Sequence, residues 1–278
     1  MTEYFRRARP LMGTFVEIGF FRSEIHPFVM TRAFEKMEKV QELMSFHSPD
    51  SELSLLNRSC REEIRLHPLT ALVLKLAKRL THLSGGLFDC GVGGQLVAEQ
   101  ILPRHRTEPT SDIEPNNLMG TIKDLEIKGV KAFCRKPLCL TLDGIAKGLA
   151  VDLAVKELRS SGVASGWVCA GGDLRVFGDL SLPVQRRSRD FYFSALGELR
   201  NAAMATSWVR EVFDPRFPGK IVSPHKSRKP KPGAWSVVAS STWLADGLTK
   251  VACLAPSHKR SQIIKKLGGY LLRQKGKK

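Results

Sequence analysis

No apolar run in the 278 residues approaches the roughly 18 that a membrane-crossing helix needs. The opening stretch, MTEYFRRARPLMGTFVEI, lacks the apolar core of a signal peptide behind its basic residues and a cysteine placed to carry a lipid. On these signs the chain is expected in the cytoplasm. The six cysteines, at 60, 90, 134, 139, 169 and 253, form no C-x-x-C or C-x-H pairing. Neither a zinc site nor a disulfide framework is indicated, and they read as small buried hydrophobes. Acids are scarce at one end: from Lys220 to Lys278 there are fourteen Lys and Arg against Asp246 alone.

That imbalance places +13 of the net +17 in the last 59 residues and leaves +4 for the first 219. A protein that coats nucleic acid would carry its charge more evenly, and no nucleic-acid-binding motif accompanies the basic segments. They read as a basic loop, 225–233 (HKSRKPKPG), and a basic tail, suited to solubility or to salt-sensitive attraction of polyanions. With 42% hydrophobic and 26% charged residues the composition is that of an ordinary globular chain, one large domain or two intimate ones.

Hydrophobic spacing predicts a strand over Met12–Phe20 and amphipathic helices over Phe28–Met44 and Leu69–Leu83, the latter stopped by Gly85-Gly86. Residues 102–117 have no periodicity and read as a surface loop. A strand over Leu138–Leu142 is expected to turn at Asp143-Gly144 into a helix ending near Ser161, with Asp143 as its N-cap. Further strands are expected at Trp167–Ala170, Leu174–Phe177, Asp190–Ala195 and Ser236–Ser240. Helices follow from Thr242, itself an expected N-cap, and over Lys259–Leu267. Strands and helices mix without a regular repeat, which favours an α+β fold of mixed sheets with packed helices.

Four segments put glycines and polar groups at such junctions. In Phe88-Asp89-Cys90-Gly91-Val92-Gly93-Gly94 the glycines allow a backbone to approach a ligand; a plain helix end and turn would use them as well. In Leu140-Thr141-Leu142-Asp143-Gly144-Ile145-Ala146-Lys147-Gly148 a helix start offers N–H groups to a phosphate. Lys147 opposes the dipole there, which points to a functional reason for its place. Ala170-Gly171-Gly172-Asp173 is either a hairpin turn or a cradle. In Thr242-Trp243-Leu244-Ala245-Asp246-Gly247-Leu248-Thr249-Lys250 a carboxylate sits on a helix apolar enough to be buried. Asp246 there either pairs with Lys250 at i+4 or holds a hard divalent cation.

The order and spacing of these segments, with MGTFVEI at 12–18 and SFHSPDSELSLLN at 45–57, resemble the ApbE-type family of FAD:protein FMN transferases over about Met12–Ala255. DGIAKG and AGGD are the most specific elements. The resemblance implies FAD as substrate, Mg²⁺ as cofactor, and transfer of FMN to a Thr or Ser hydroxyl of an acceptor protein carrying a D-G-x-[ST]-G-A-[ST] pattern, with AMP released. It implies FAD contacts for Met12, His47, Phe88, Asp89, Thr141, Lys147, Gly171, Gly172 and Asp173, and a metal on the Gly144 carbonyl and the Asp246 carboxylate. Asp246 and Lys147 are the catalytic candidates. Residues 1–255 are expected to form one module and 256–278 a basic C-terminal helix and tail.

Four positions depart from the family pattern. Thr141 stands where an Asp is usual, Lys250 where a Thr follows the metal-binding Asp, His47 where a Tyr covers the flavin, and Glu211 where a His opens the segment 211–219. A second reading follows from these changes: a flavin-nucleotide binding protein on the same fold with a weakened metal site.

Overall fold

Two residues, Met12 and Gly13, separate the first two strands, β1 (Tyr4–Leu11) and β2 (Thr14–Phe21), and both take left-handed φ values, 55° and 69°. That is the backbone of a type I′ turn, whose twist suits a hairpin. Val16, Ile18 and Phe20 bury one face of β2 completely. β1 lies outside the predicted strand. It carries Arg6, Arg7 and Arg9 at the edge of the sheet, where polar residues face water and the hydrophobic alternation that reveals a strand is lost.

The computed structural model describes residues 4–21, 28–105, 120–187, 193–211, 219–225 and 227–272. After the hairpin come α1 (Phe28–Met44), α2 (Glu52–Arg58), β3 (Glu63–Arg65), α3 (Pro68–Leu83) and α4 (Gly93–Ala98). The middle of the chain forms β4 (Leu125–Lys128), β5 (Lys131–Cys134), α5 (Ala146–Ser160), β6 (Gly166–Ala170), β7 (Asp173–Phe177) and β8 (Ser181–Arg187). It ends with β9 (Phe193–Arg200), β10 (Ala203–Val209), β11 (Gly233–Ala239), α6 (Thr242–Leu254), α7 (Arg260–Lys266) and β12 (Gly269–Leu271). Among the described residues no helix is long and apolar enough to cross a membrane.

A seven-stranded sheet in the order β1-β2-β6-β7-β10-β11-β12, antiparallel throughout, forms the frame. Two smaller sheets, β3-β5-β4 and β8-β9, complete the α+β architecture expected from the mixed element order. Helix α5 packs between α1 and α6, and α6 lies against β10 and β11. A separate apolar cluster of Trp167, Leu174, Val176, Leu180, Val184, Leu199 and Met204 unites β6, β7 and β10 with β8 and β9. Of the basic segment after residue 255, the described residues 256–272 take part in this frame. Ile264 of α7 is fully buried, and β12 pairs with β11 through Val237–Ala239.

Three expectations fail for local reasons. Residues 138–142 form no strand: their backbone is held by groups that are not a neighbouring strand. Asn57 donates to the Leu140 carbonyl at 2.9 Å and accepts from its N–H at 2.8 Å. The Thr141 N–H reaches the Cys90 carbonyl, and the Gly93 N–H the Cys139 carbonyl. Asp143 does not cap α5. The Ile145 and Ala146 N–H groups both turn back to the Leu142 carbonyl, and Asp143 is left exposed outside the turn. Thr242 does not cap α6 from within; the cap comes from Asp152 of α5. The expected strand 190–195 overlaps β9, with 190–192 outside the described residues; so is most of the loop 102–117.

Candidate active site

Helices α5 and α6 meet backbone to backbone. A Cβ on Gly148 would lie 2.5 Å from the Thr242 carbonyl oxygen, so only glycine permits the crossing. At the same point the Asp152 carboxylate accepts the Thr242 N–H and hydroxyl, both at 2.8 Å, and the Trp243 N–H at 3.0 Å. One side chain of α5 thereby supplies the acceptors that the first turn of α6 needs. The crossing brings Lys147, in the first turn of α5, close to Asp246, one turn into α6.

Four charges gather there. Lys147 Nζ stands 3.4 Å from Asp173 Oδ2, an oxygen that has no aligned hydrogen bond. Lys250 Nζ bonds Asp246 Oδ1 and lies 3.3 Å from Ser207 Oγ. Asp246 Oδ2, buried, also lacks a hydrogen-bond partner among the described residues. Both carboxylates are nearly sealed, with Asp173 2% and Asp246 1% exposed, while Lys147 and Lys250 keep 31% and 20% of their side chains in reach of solvent. Burial, then the neighbouring Asp246 carboxylate, pushes Asp173 up to about 6, against the pull of the two lysines. The Asp173 carboxylate in turn raises Lys147 above the ordinary lysine value despite desolvation. An ammonium pair on sealed acids, at a helix start that no side chain caps, can bind a phosphate anion.

Of the residues singled out in the sequence, Phe88, Gly144, Lys147, Asp173 and Asp246 come together. A Cβ on Gly144 would sit 3.3 Å from the Phe88 ring and 3.4 Å from Lys250 Cε. Thr141 is buried, its N–H on the Cys90 carbonyl. Gly171 and Gly172 form the two-residue β6–β7 turn, with a left-handed φ of 62° at Gly171. Their lack of side chains serves contacts within the chain. A Cβ would meet Thr14 Oγ1 at 2.7 Å from Gly171, and the Thr206 carbonyl oxygen at 2.6 Å from Gly172. Met12 lies in the adjacent β1–β2 turn, its N–H bonded to Gln41 Oε1 at 2.5 Å.

Asp89 accepts the Gly91 and Ile122 N–H groups at 2.7 and 3.1 Å and ties the 87–94 segment to the chain beyond it. Burial raises its carboxyl above the usual value, partly offset by these bonds. His47 is exposed, and among the described residues no hydrogen bond or ion pair joins it to the cluster. Glu211 is exposed, and 212–218 lie outside the described residues. Sequence reasoning missed Ser207, whose hydroxyl bonds Thr249 Oγ1 at 2.7 Å beside Lys250, and Asp152. The signal for Asp152 was present: a lone acid in the apolar run Leu149–Val155.

The sequence pattern of the ApbE family matches residues 12–271. The chain is 30% identical over 177 residues to the FAD:protein FMN transferase of Vibrio cholerae serotype O1, covering 61% of this chain and 53% of that protein. It is 29% identical over 238 residues to the FAD:protein FMN transferase of Rhodobacter capsulatus, covering 78% and 45%. It thus spans about half the length of the curated relatives it matches. The solved structure of the flavin transferase ApbE from Vibrio cholerae superposes with a TM-score of 0.79 at 25% identity, over 95% of this chain and 90% of that one. Because pattern and fold agree over nearly the whole length, this chain belongs to the ApbE family.

Proposed function

We propose that this chain moves the FMN half of FAD onto a Thr or Ser hydroxyl of a protein partner and releases AMP. The observation that carries the reading is the cluster Lys147, Asp173, Asp246 and Lys250, in which two part-exposed ammonium groups face outward from two sealed carboxylates with orphaned oxygens. The names of the relatives, FAD:protein FMN transferase, support the same chemistry. FAD would lie across the 87–94 segment, the start of α5 and the β6–β7 turn, near Met12 and Phe88.

In the transfer, the acceptor hydroxyl oxygen bonds to the FMN phosphorus. The bond from that phosphorus to the bridging oxygen breaks, and AMP leaves with that oxygen. The hydroxyl proton passes by way of water to a carboxylate of the Asp173–Asp246 pair, whose orphaned oxygens are themselves sealed from the acceptor hydroxyl. Lys147 neutralises charge on the diphosphate as the bridging bond lengthens, and its anchor on Asp173 fixes the ammonium before reaction.

The resemblance also implies Mg²⁺ held by the Asp246 carboxylate and the Gly144 carbonyl, where it would supply positive charge to the diphosphate. The residues present do not fit it. Lys250 occupies both neighbourhoods, its Cε 3.4 Å from a Cβ position on Gly144 and its Nζ bonded to Asp246 Oδ1. No step here passes through a metal ion.

The test is incubation with FAD and a peptide carrying D-G-x-[ST]-G-A-[ST], once with Mg²⁺ and once with EDTA, read by mass. A gain equal to FMN with one AMP released per transfer is expected. Bound FAD with no gain in either arm would replace the transferase with a flavin-nucleotide binding module.

A further inference from the structure

We infer that Lys250 is the resident cation of this site, so that the chain holds and cleaves the FAD diphosphate without a divalent metal. The inference rests on the flavin-transfer reading above and concerns what balances charge within it.

Lys250 follows Asp246 by one helical turn, and such pairs commonly lie in solvent and contribute little. This pair differs. The Asp246 side chain is 1% exposed, and the Lys250 side chain, 20% exposed, lies with its Cε and Cδ at van der Waals distance from a Cβ position on Gly144. Polar neighbours fix the ammonium: Nζ meets Asp246 Oδ1 and Ser207 Oγ. Ser207 bonds Thr249 Oγ1, and Thr249 donates to the Asp246 carbonyl at 2.7 Å. An ammonium has three protons, so two contacts leave a third for a ligand oxygen.

Charge balance leads the same way. Lys147 and Lys250 already pair with Asp173 and Asp246, although the exposed Asp143 adds a further negative charge near Lys147, so a divalent cation would meet an ammonium already seated on Asp246. A diphosphate meets no such opposition, because both ammonium groups keep exposed surface toward it. A lysine does this work as a single point charge with fixed reach. A metal would instead bring several oxygen sites and be lost to a chelator.

The experiment compares FAD binding by flavin fluorescence in EDTA and in millimolar Mg²⁺ for the wild type, Lys250→Met and Lys250→Thr. Wild-type affinity should agree within about two-fold between the two buffers, and AMP release should persist in EDTA. Lys250→Met should lose at least ten-fold in affinity in both. Lys250→Thr should bind FAD weakly in EDTA and recover with Mg²⁺, and calorimetry without FAD should detect Mg²⁺ only in this variant. A wild type that binds FAD with Mg²⁺ but not in EDTA overturns the inference and leaves the flavin reading standing. A wild type that binds no FAD in either buffer overturns both. The comparison of buffers on the wild type decides the need for a metal even if one variant fails to fold, and two different substitutions keep the role of Lys250 open to test.

Discussion

Replacing Asp152 by Ala should separate α5 from α6 without touching a reacting group. The carboxylate receives three hydrogen bonds, from the Thr242 N–H and hydroxyl and from the Trp243 N–H. Thr242 is fully buried, so its N–H finds no water when the acceptor is gone. Losing a capping side chain costs about 1 kcal/mol, and a buried donor left unsatisfied costs about 1–3 kcal/mol. Part of this is returned, because burial already disfavours the Asp152 charge and raises its pKa before the N–H bonds pull it down. The net expected loss is about 2–3 kcal/mol. Asp152→Asn keeps one acceptor oxygen for Thr242 but turns an amide donor toward the Trp243 N–H, for about 1 kcal/mol. Urea unfolding with an unchanged m-value measures both. A loss under about 0.5 kcal/mol for Ala, or Asn falling below Ala, would refute the idea that this side chain holds the crossing.

Two further outcomes follow from the cluster and its turn. The folded-state value of Asp173, about 6, lies above the 3.8 of an ordinary carboxyl, so protonation favours the folded chain. The contribution is full below about 3.8 and is lost as pH rises through 6. Wild-type stability relative to Asp173→Asn should therefore fall across that window by up to about 1.4 kcal/mol per pH unit, and a flat difference would place the titration elsewhere. Gly172→Ala should destabilise by about 1–3 kcal/mol, because its Cβ meets the Thr206 carbonyl, which is backbone and cannot rotate away. Protein that stays folded should bind FAD more weakly, because the displaced turn carries Asp173 away from Lys147, and fluorescence titration checks this.

Periodicity revealed the elements that bury a continuous face. Helix α1 was legible because Phe34, Met37, Val40 and Met44 repeat on one side, and all are buried. The α3 end was legible because Gly85 and Gly86 turn the chain back, their N–H groups bonding the His82 and Thr81 carbonyls. What escaped was whatever a distant partner decides. Residues 138–142 have the composition of a strand, yet Asn57, more than eighty positions earlier, takes the bonds a neighbouring strand would have made. Asp143 has the chemistry of a cap, yet the Ile145 and Ala146 N–H groups take the Leu142 carbonyl instead and leave it exposed. At the site, charged residues were legible by type and place, whereas Ser207 entered only through the packing of β10 against α6.

The glycines and the charges exchange the roles that sequence alone suggests. Glycine-rich turns imply a ligand close to bare backbone, but at Gly148 and Gly172 the space is taken by Thr242 and Thr206 of the chain itself. Those contacts set where the charges stand. Gly148 lets α5 and α6 touch, Asp152 locks the touch, and Lys147 and Asp246 sit within one turn of it on their respective helices. Gly172 lets β6–β7 fold against Thr206, which brings Asp173 under Lys147. A buried ion pair adds little to stability once its desolvation is counted, so two of them side by side need support from elsewhere in the fold. The crossing and the turn supply it through backbone contact and capping. The ammonium groups are thereby held on acids that cannot move, and their remaining exposed surface is free for an anion.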